Sequence, residues 1–124
     1  MVFGEIVTVV GRYYAMDRDT NWERTEKAYN AIVKGEGDKT DDLINSVKKS
    51  YENGVTDEFI LPLILNTDEN TRIEREDGVI FANFRPDRAR QLTRAIVDKE
   101  FKGFDRGEYL NTKFVCMAQY DIKI

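Results

Sequence analysis

The chain has 124 residues, of which 41% are hydrophobic and 34% are charged, with a net charge of −4; this is the length and composition of one globular domain. Because it lacks both a signal-peptide pattern and an apolar run of the ~20 residues that span a bilayer, we expect a cytoplasmic protein with no membrane partner, and the acidic balance argues against nucleic acid. The absence of histidine excludes Ser-His-Asp sites and His-based metal sites, and a single cysteine excludes an internal disulfide.

The first third of the chain predicts a strand, a loop and a helix. Residues 5–10 are rich in β-branched side chains and predict the strand, whereas residues 12–19 are dense in aromatic and charged side chains and predict the loop. Thr20, with Glu23 three positions later, has the pattern of a capping box. We therefore expect a helix that begins at Thr20 and ends at Gly35, a typical C-terminal stop.

The middle of the chain predicts a second helix and a strand. The helix should begin after Thr40, because two aspartates favour its first turn, and should end at Gly54. Residues 59–65 are apolar and predict a strand, but Pro62 within them favours an edge strand or an irregular one. Residues 67–70 predict a polar turn.

The last third of the chain predicts a strand at residues 79–84, a helix from Pro86 to about Asp98, a loop at 103–111 and a final strand at 114–120. The helix should turn its apolar residues inward: Ala89, Leu92, Ala95 and Ile96. Since strands alternate with helices, we expect an α/β fold in which a mixed β-sheet is flanked by helices. No repeat or linker divides residues 1–124, so one domain is expected.

The start of the predicted helix at Pro86 carries two arginines, Arg85 and Arg88, on one side of its first turn. Cations at a helix N-terminus oppose the macrodipole. The pattern therefore fits an anion site, which helix amides and guanidinium groups can form together. The alternative is that Asp87 and nearby carboxylates already neutralise the arginines. The local pattern does not decide between the two interpretations.

Five blocks along the chain resemble the cofactor-independent (2,3-bisphosphoglycerate-independent) phosphoglycerate mutases. They occur in the family's order and cover nearly the whole chain: GRYYAMDRD at 11–19, EKAYNAIV at 26–33, NGVTDEF at 53–59, NFRPDRAR at 83–90 and FVCMAQYD at 114–121. A series of this kind is far more specific than any single short motif.

The resemblance implies that this chain is a fragment of a longer enzyme. Family members have a phosphatase-like domain with two divalent metals, usually manganese, and a serine that is phosphorylated. An inserted substrate-binding domain holds the glycerate, and this chain resembles the larger part of that domain. The phosphatase-like domain would then be a partner within the same polypeptide, and this fragment would bind no metal or cofactor itself. The C-terminus, which stops without a cap or turn, is consistent with a fragment.

The implied activity of the parent enzyme is an isomerase reaction of glycolysis and gluconeogenesis. It interconverts 3-phosphoglycerate and 2-phosphoglycerate through a phosphoserine, while arginines clamp the substrate. Without metal ligands or the nucleophilic serine, this fragment should be inactive alone. Matching the family's motifs residue by residue assigns substrate binding to six positions: Arg12, Arg18, Arg85, Pro86, Asp87 and Arg88.

Two alternatives of a different class stay open at this point. One is a non-catalytic anion-binding or protein-interaction module that uses the arginines for a partner's phosphate or carboxylate. The other is a structural domain in which all arginines are paired internally, for example Arg18 with Asp17 or Asp19. Asp57 and Glu58 are adjacent carboxylates, for which a structural role, such as orienting an arginine, is expected rather than an acid–base pair, because successive strand residues face opposite ways.

Overall fold

A computed structural model describes residues 3–67 and 71–124; all of the expected turn at 67–70 except its first residue lies outside them. The described chain contains nine regular elements: β1 Thr8–Val9, α1 Arg12–Ala15, α2 Trp22–Tyr29, β2 Asp38–Thr40, α3 Leu43–Glu52, β3 Leu63–Leu65, β4 Gly78–Phe81, α4 Pro86–Val97 and β5 Lys113–Cys116. A π-helical turn, Asn30–Lys34, extends α2, and a 3₁₀ turn, Asp57–Phe59, precedes β3. No helix within these ranges is both long and apolar enough to cross a membrane.

The strands form two small sheets. In the first, β3 lies between β1 and β2 and is antiparallel to β1 and parallel to β2, with Ile64 opposite both Thr8 and Lys39. In the second, β4 and β5 pair in parallel, and α4 makes the crossover between them. The mixed α/β class with flanking helices is therefore confirmed, although the strands are divided between two sheets.

The core lies between α2 and α4. Tyr29 of α2 packs with three α4 residues, Leu92, Ala95 and Ile96, and partly buried aromatic side chains from β4 and β5 close over them. Ala89 is also fully buried. The apolar spacing of α4 thus has the predicted role, and the helix ends within one residue of its predicted boundary.

The expected loop after the first strand is wrong at its beginning. Residues 12–15 form helix α1, whose first turn is closed by hydrogen bonds from the amides of Tyr14 and Ala15 to the carbonyl of Gly11. The aromatic ring of Tyr13 packs against Phe59, with ring centres 5.1 Å apart. These tertiary contacts support a helix too short to form alone. The preceding strand, predicted over residues 5–10, has only two residues, Thr8–Val9.

The predicted capping box at Thr20 is also wrong. Thr20 has a left-handed backbone, with φ of 59°, and α2 begins two residues later at Trp22. The N-cap position is Asn21, whose side chain makes no capping bond, and the Asp17 carboxylate holds this residue by accepting its backbone N–H at 2.8 Å. At the other end, Gly35 has the left-handed conformation of a C-terminal stop, as expected.

The strand around Pro62 is central rather than at an edge. Pro62 precedes β3, so its missing N–H removes no bond from the ladder, and its carbonyl accepts the N–H of Asp38 at 2.9 Å. The charged strand β2 that pairs here has no apolar pattern and was not predicted. Helix α3 is capped by Asp42, whose side chain accepts the N–H of Asn45.

Gly11 supplies a prediction about packing. A Cβ there would lie 2.4 Å from the carbonyl oxygen of Glu58 and 2.6 Å from the nitrogen of Ile60, both backbone atoms. Gly11→Ala should therefore lower the free energy of unfolding by roughly 1–3 kcal/mol, since backbone must move. Urea unfolding followed by Trp22 fluorescence measures this. The control is Gly78→Ala, whose Cβ would meet nothing within 4 Å; equal stability of the two variants would contradict the prediction.

Candidate functional site

The residues before α4 have the backbone conformation that allows a helix to begin at Pro86. Arg85 has an extended backbone, as expected before a proline, and Pro86 occupies the beginning of the helix. The side chain of Asn83 accepts the backbone N–H of Arg85 at 2.9 Å, which fixes the turn into the helix. The sequence thus places the side chains of residues 85–88 at one end of α4.

Two arginines from distant parts of the chain meet at one carboxylate. Asp87 accepts the Nη1 of Arg18 at 2.9 Å on one oxygen and the Nε of Arg85 at 2.7 Å on the other. The side chains of Arg18 and Arg85 remain 44% and 58% exposed. Hydrogen bonds from Arg85 and Arg18 hold the pKa of Asp87 well below its usual range. Since two guanidinium groups share one carboxylate, the trio keeps a net positive charge.

The other two predicted arginines are arranged differently. Arg88 lies beside this trio in sequence and donates from Nη1 to the carbonyl of Met16 at 3.1 Å, which ties α4 to the end of α1. Arg12, at the beginning of α1, pairs with Glu58 at 2.9 Å. The structure therefore gathers Arg18, Arg85 and Asp87 directly, with Arg88 attached to the same segment, and gives Arg12 a separate partner.

Both adjacent carboxylates have partners: Glu58 accepts from Arg12, and Asp57 accepts a hydrogen bond from the hydroxyl of Tyr51. The suggested pairing of Arg18 with a neighbouring aspartate is not found. Asp17 turns inward instead, and Arg18 reaches Asp87.

Sequence reasoning missed a buried polar network beneath the arginines. Asp17 is 5% exposed and Gln91, in the middle of α4, is 6% exposed. The Nε2 of Gln91 donates to Asp17 at 2.9 Å and to the hydroxyl of Thr25 at 3.1 Å. Its Oε1 accepts the backbone N–H of Thr20 at 2.8 Å. The only sequence signal was a glutamine flanked by core positions of α4.

Several donors keep Asp17 charged. Burial raises the pKa of its carboxyl, but hydrogen bonds from the side chains of Asn21 and Gln91 and from the backbone of Asn21 outweigh burial, so the net pKa is lowered. Arg24 adds a charge at 3.5 Å, and its guanidinium also lies over the ring of Tyr13 at 3.9 Å from the ring centre. Asp17, which follows the end of α1, therefore joins this segment to the start of α2 and to α4.

This arrangement suits the binding of an anion. Guanidinium groups donate in planar forks that match carboxylate and phosphate oxygens, and arginine stays protonated at working pH. No group of three or more Cys, Asp or Glu side chains within residues 3–67 and 71–124 is placed to hold a metal ion. The described residues thus offer positioning and charge neutralisation.

Comparisons with known proteins agree on one family. The family model described as "BPG-independent PGAM N-terminus" matches residues 1–122. A 2,3-bisphosphoglycerate-independent phosphoglycerate mutase of Clostridium perfringens strain SM101 is 58% identical over 120 residues, 95% of this chain and 23% of that protein. Its counterpart in Clostridioides difficile strain 630 is 52% identical over 123 residues, 98% of this chain and 24% of that protein.

A solved structure also matches. The crystal structure of a Leishmania mexicana phosphoglycerate mutase at low cobalt concentration has a TM-score of 0.83 and 31% identity, and it covers 96% of this chain. The match takes up 23% of that structure's chain. This chain therefore spans about a quarter of the length of the relatives it matches.

Asp17 supplies a prediction about pH. Because its pKa is lowered on folding, the unfolded chain binds more protons in acid, so this contribution to stability is present above about pH 4 and is lost as pH falls through the folded pKa. Asp17→Asn should cost about 1–3 kcal/mol near pH 7 through lost hydrogen bonds. Urea unfolding from pH 7 to pH 3 should show this difference from the natural chain shrinking in acid. A constant difference would contradict the prediction.

Proposed function

The chain belongs to the BPG-independent phosphoglycerate mutase family, and from this premise we propose that it is the larger part of the family's substrate-binding domain. The whole protein would interconvert 3-phosphoglycerate and 2-phosphoglycerate through a phosphoserine, in the cytoplasm, as an enzyme of glycolysis and gluconeogenesis. A phosphatase-like domain of the same polypeptide would carry out the phosphoryl transfer.

The observation that supports this proposal most strongly is the meeting of Arg18 and Arg85 at Asp87. The two residues come from segments 67 positions apart in sequence, yet their guanidinium groups bind the same carboxylate. Both stay about half exposed, so a ligand can reach them. In the proposal, Asp87 holds the two arginines in place, and the phosphate or carboxylate of a phosphoglycerate shares their remaining N–H donors.

The choice of arginine fits this substrate. Phosphoglycerate carries two anionic groups, and bidentate guanidinium contacts fix both the position and the orientation of such groups. Phosphoryl transfer depends mainly on positioning and on neutralising charge. In the proposed mechanism, the substrate gives its phosphoryl group to the serine of the other domain. The glycerate stays held by the arginines, reorients, and receives the phosphate on its other hydroxyl.

Metal ions enter this proposal only through the rest of the polypeptide. Since the described residues include no group suited to hold one, we assign the two divalent metals implied by the family, with manganese the expected ion, to the phosphatase-like domain. In this chain, the proposed work of Arg12, Arg18, Arg85 and Arg88 is to bind and orient the substrate. Pro86 and Asp87 shape the helix start on which two of them lie.

The competing proposal is that the arginines are structural. The ion pair of Arg12 with Glu58, and the contact of Arg88 with a backbone carbonyl, favour it. Exposed ion pairs contribute only about 0–1 kcal/mol to stability. The ion pairs of Arg18 and Arg85 would therefore add little to the stability of the fold, which is why we favour a binding role for these two residues.

Titration of 3-phosphoglycerate into the chain, followed by NMR at low and fixed salt, tests the proposal. Binding should be tighter than that of sulfate, and Arg85→Ala/Arg88→Ala should weaken it at least about tenfold, the cost of one lost charged hydrogen bond. The control variant, Arg75→Ala/Lys102→Ala, removes the same charge at exposed positions and should bind normally. Binding that does not exceed sulfate, or that survives the first variant, would contradict the proposal.

A second prediction concerns activity. The isolated chain should not convert 3-phosphoglycerate to 2-phosphoglycerate, because the serine and the metal site of the proposed mechanism lie in the other domain. An enzyme-coupled assay that consumes 2-phosphoglycerate would measure this. Turnover by the chain that disappears in Arg85→Ala/Arg88→Ala would show that the chain is catalytic by itself, and the division of labour proposed above would then be wrong.

A further inference from the structure

We propose that Gln91 is a positioning residue, which sets Arg18 in register with Arg85 and Arg88 by fixing residues 16–20 onto helix α4. The inference uses the proposed function only for the identity of the ligand. The position of Arg18 relative to α4 is a property of the free chain and can be tested without any ligand.

The hydrogen bonds of Gln91 bracket Arg18. Its Nε2 donates to the carboxylate of Asp17, the residue before Arg18, and its Oε1 accepts the backbone N–H of Thr20, two residues after it. The distances are 2.9 Å and 2.8 Å. Because one amide group supplies a donor on one side and an acceptor on the other, the segment can dock on α4 in one register only.

The same side of α4 makes the remaining contacts with this segment. Positions 87, 88 and 91 are three and four residues apart, so they lie on one side of the helix. Asp87 binds Arg18, and Arg88 binds the carbonyl of Met16. Core residues such as Leu92 and Ile96 hold α4 itself. The helix therefore serves as the fixed part, and residues 16–20 are placed against it.

Burial identifies which of these contacts sets the geometry. Arg18 and Asp87 are substantially exposed, and exposed ion pairs contribute little. Gln91 and Asp17 are almost completely buried, where hydrogen bonds are strong and an unpaired group is costly. Thr20, moreover, has a left-handed backbone unfavourable for threonine, and the bond from its N–H to Gln91 helps to hold it there. The buried network thus determines where residues 16–20 lie on α4, and the contacts of Arg18 and Arg88 form as a result.

Gln91→Leu tests this inference because leucine has a similar size but can neither donate to Asp17 nor accept from Thr20. Gln91→Glu is the second variant; it keeps the acceptor for Thr20 and sets a carboxylate against Asp17. Ile96→Val is the control, since it alters the core contacts of the same helix and leaves the network intact. The readouts are the NMR signals of the arginine side-chain Nε–H groups in the free chain and the affinity for 3-phosphoglycerate.

Both Gln91 variants should shift the Nε–H signals of Arg18 and Arg88 and weaken binding about tenfold or more, the effect of losing a charged hydrogen bond, whereas Ile96→Val should change neither. If Gln91→Leu does not fold, Gln91→Glu decides. Unchanged arginine signals in the Gln91 variants would overturn the inference, and so would an equal effect of Ile96→Val. If the natural chain binds no 3-phosphoglycerate but the signals still move, the positioning role stands and the proposed function of the chain fails.

Discussion

A carboxylate that is nearly buried can remain charged only if donors surround it, and this condition at Asp17 organises the part of the chain that holds the arginines. The donors come from Asn21 and Arg24 around the start of α2 and from Gln91 in α4. All of these elements must be in place together for Asp17 to be satisfied. The same carboxylate holds Asn21, the residue before α2, so the position of that helix and the position of the arginines have one common origin.

The two interpretations of the segment around Arg85 turn out to be compatible. Asp87 does pair with arginines, as the interpretation without a ligand requires, yet its single negative charge is shared by two of them, so one positive charge remains for an anion. A carboxylate shared in this way keeps the guanidinium groups close together against their mutual repulsion. The pairing can therefore prepare a binding site, because the cost of bringing like charges together is met before a ligand arrives.

What could be predicted from the sequence depended on whether local or distant contacts decide the structure. Helix α4 was predictable because Pro86, the apolar spacing and the core all favour the same element, and Gly35 was predictable because its backbone conformation is a local property. Helix α1 and the start of α2 were not, because packing on Phe59 and the hydrogen bond that Asp17 accepts from Asn21 decide them. The central position of β3 depends on β2, whose charged sequence gives no signal.

The family blocks located the arginines, but the motif gave no partners for them. That Arg18 reaches Asp87 across the chain, while Arg12 binds Glu58, follows from the tertiary structure alone. Gln91 illustrates the same limit, since its place among the core positions of α4 suggests burial but does not name its partners. Its role appears only when residues 16–20 are seen against α4.

Because many positions of helix α4 make structural contacts, the helix limits which substitutions this domain can accept. One part of the helix fills the core, another binds residues 16–20, and a third forms the ion pairs of Arg90 and Arg94 with Asp121. Helix α3, by contrast, buries none of its residues. A library of random substitutions should therefore find few tolerated changes in α4 and many in α3, which makes α3 the better of the two helices for introducing new sequence.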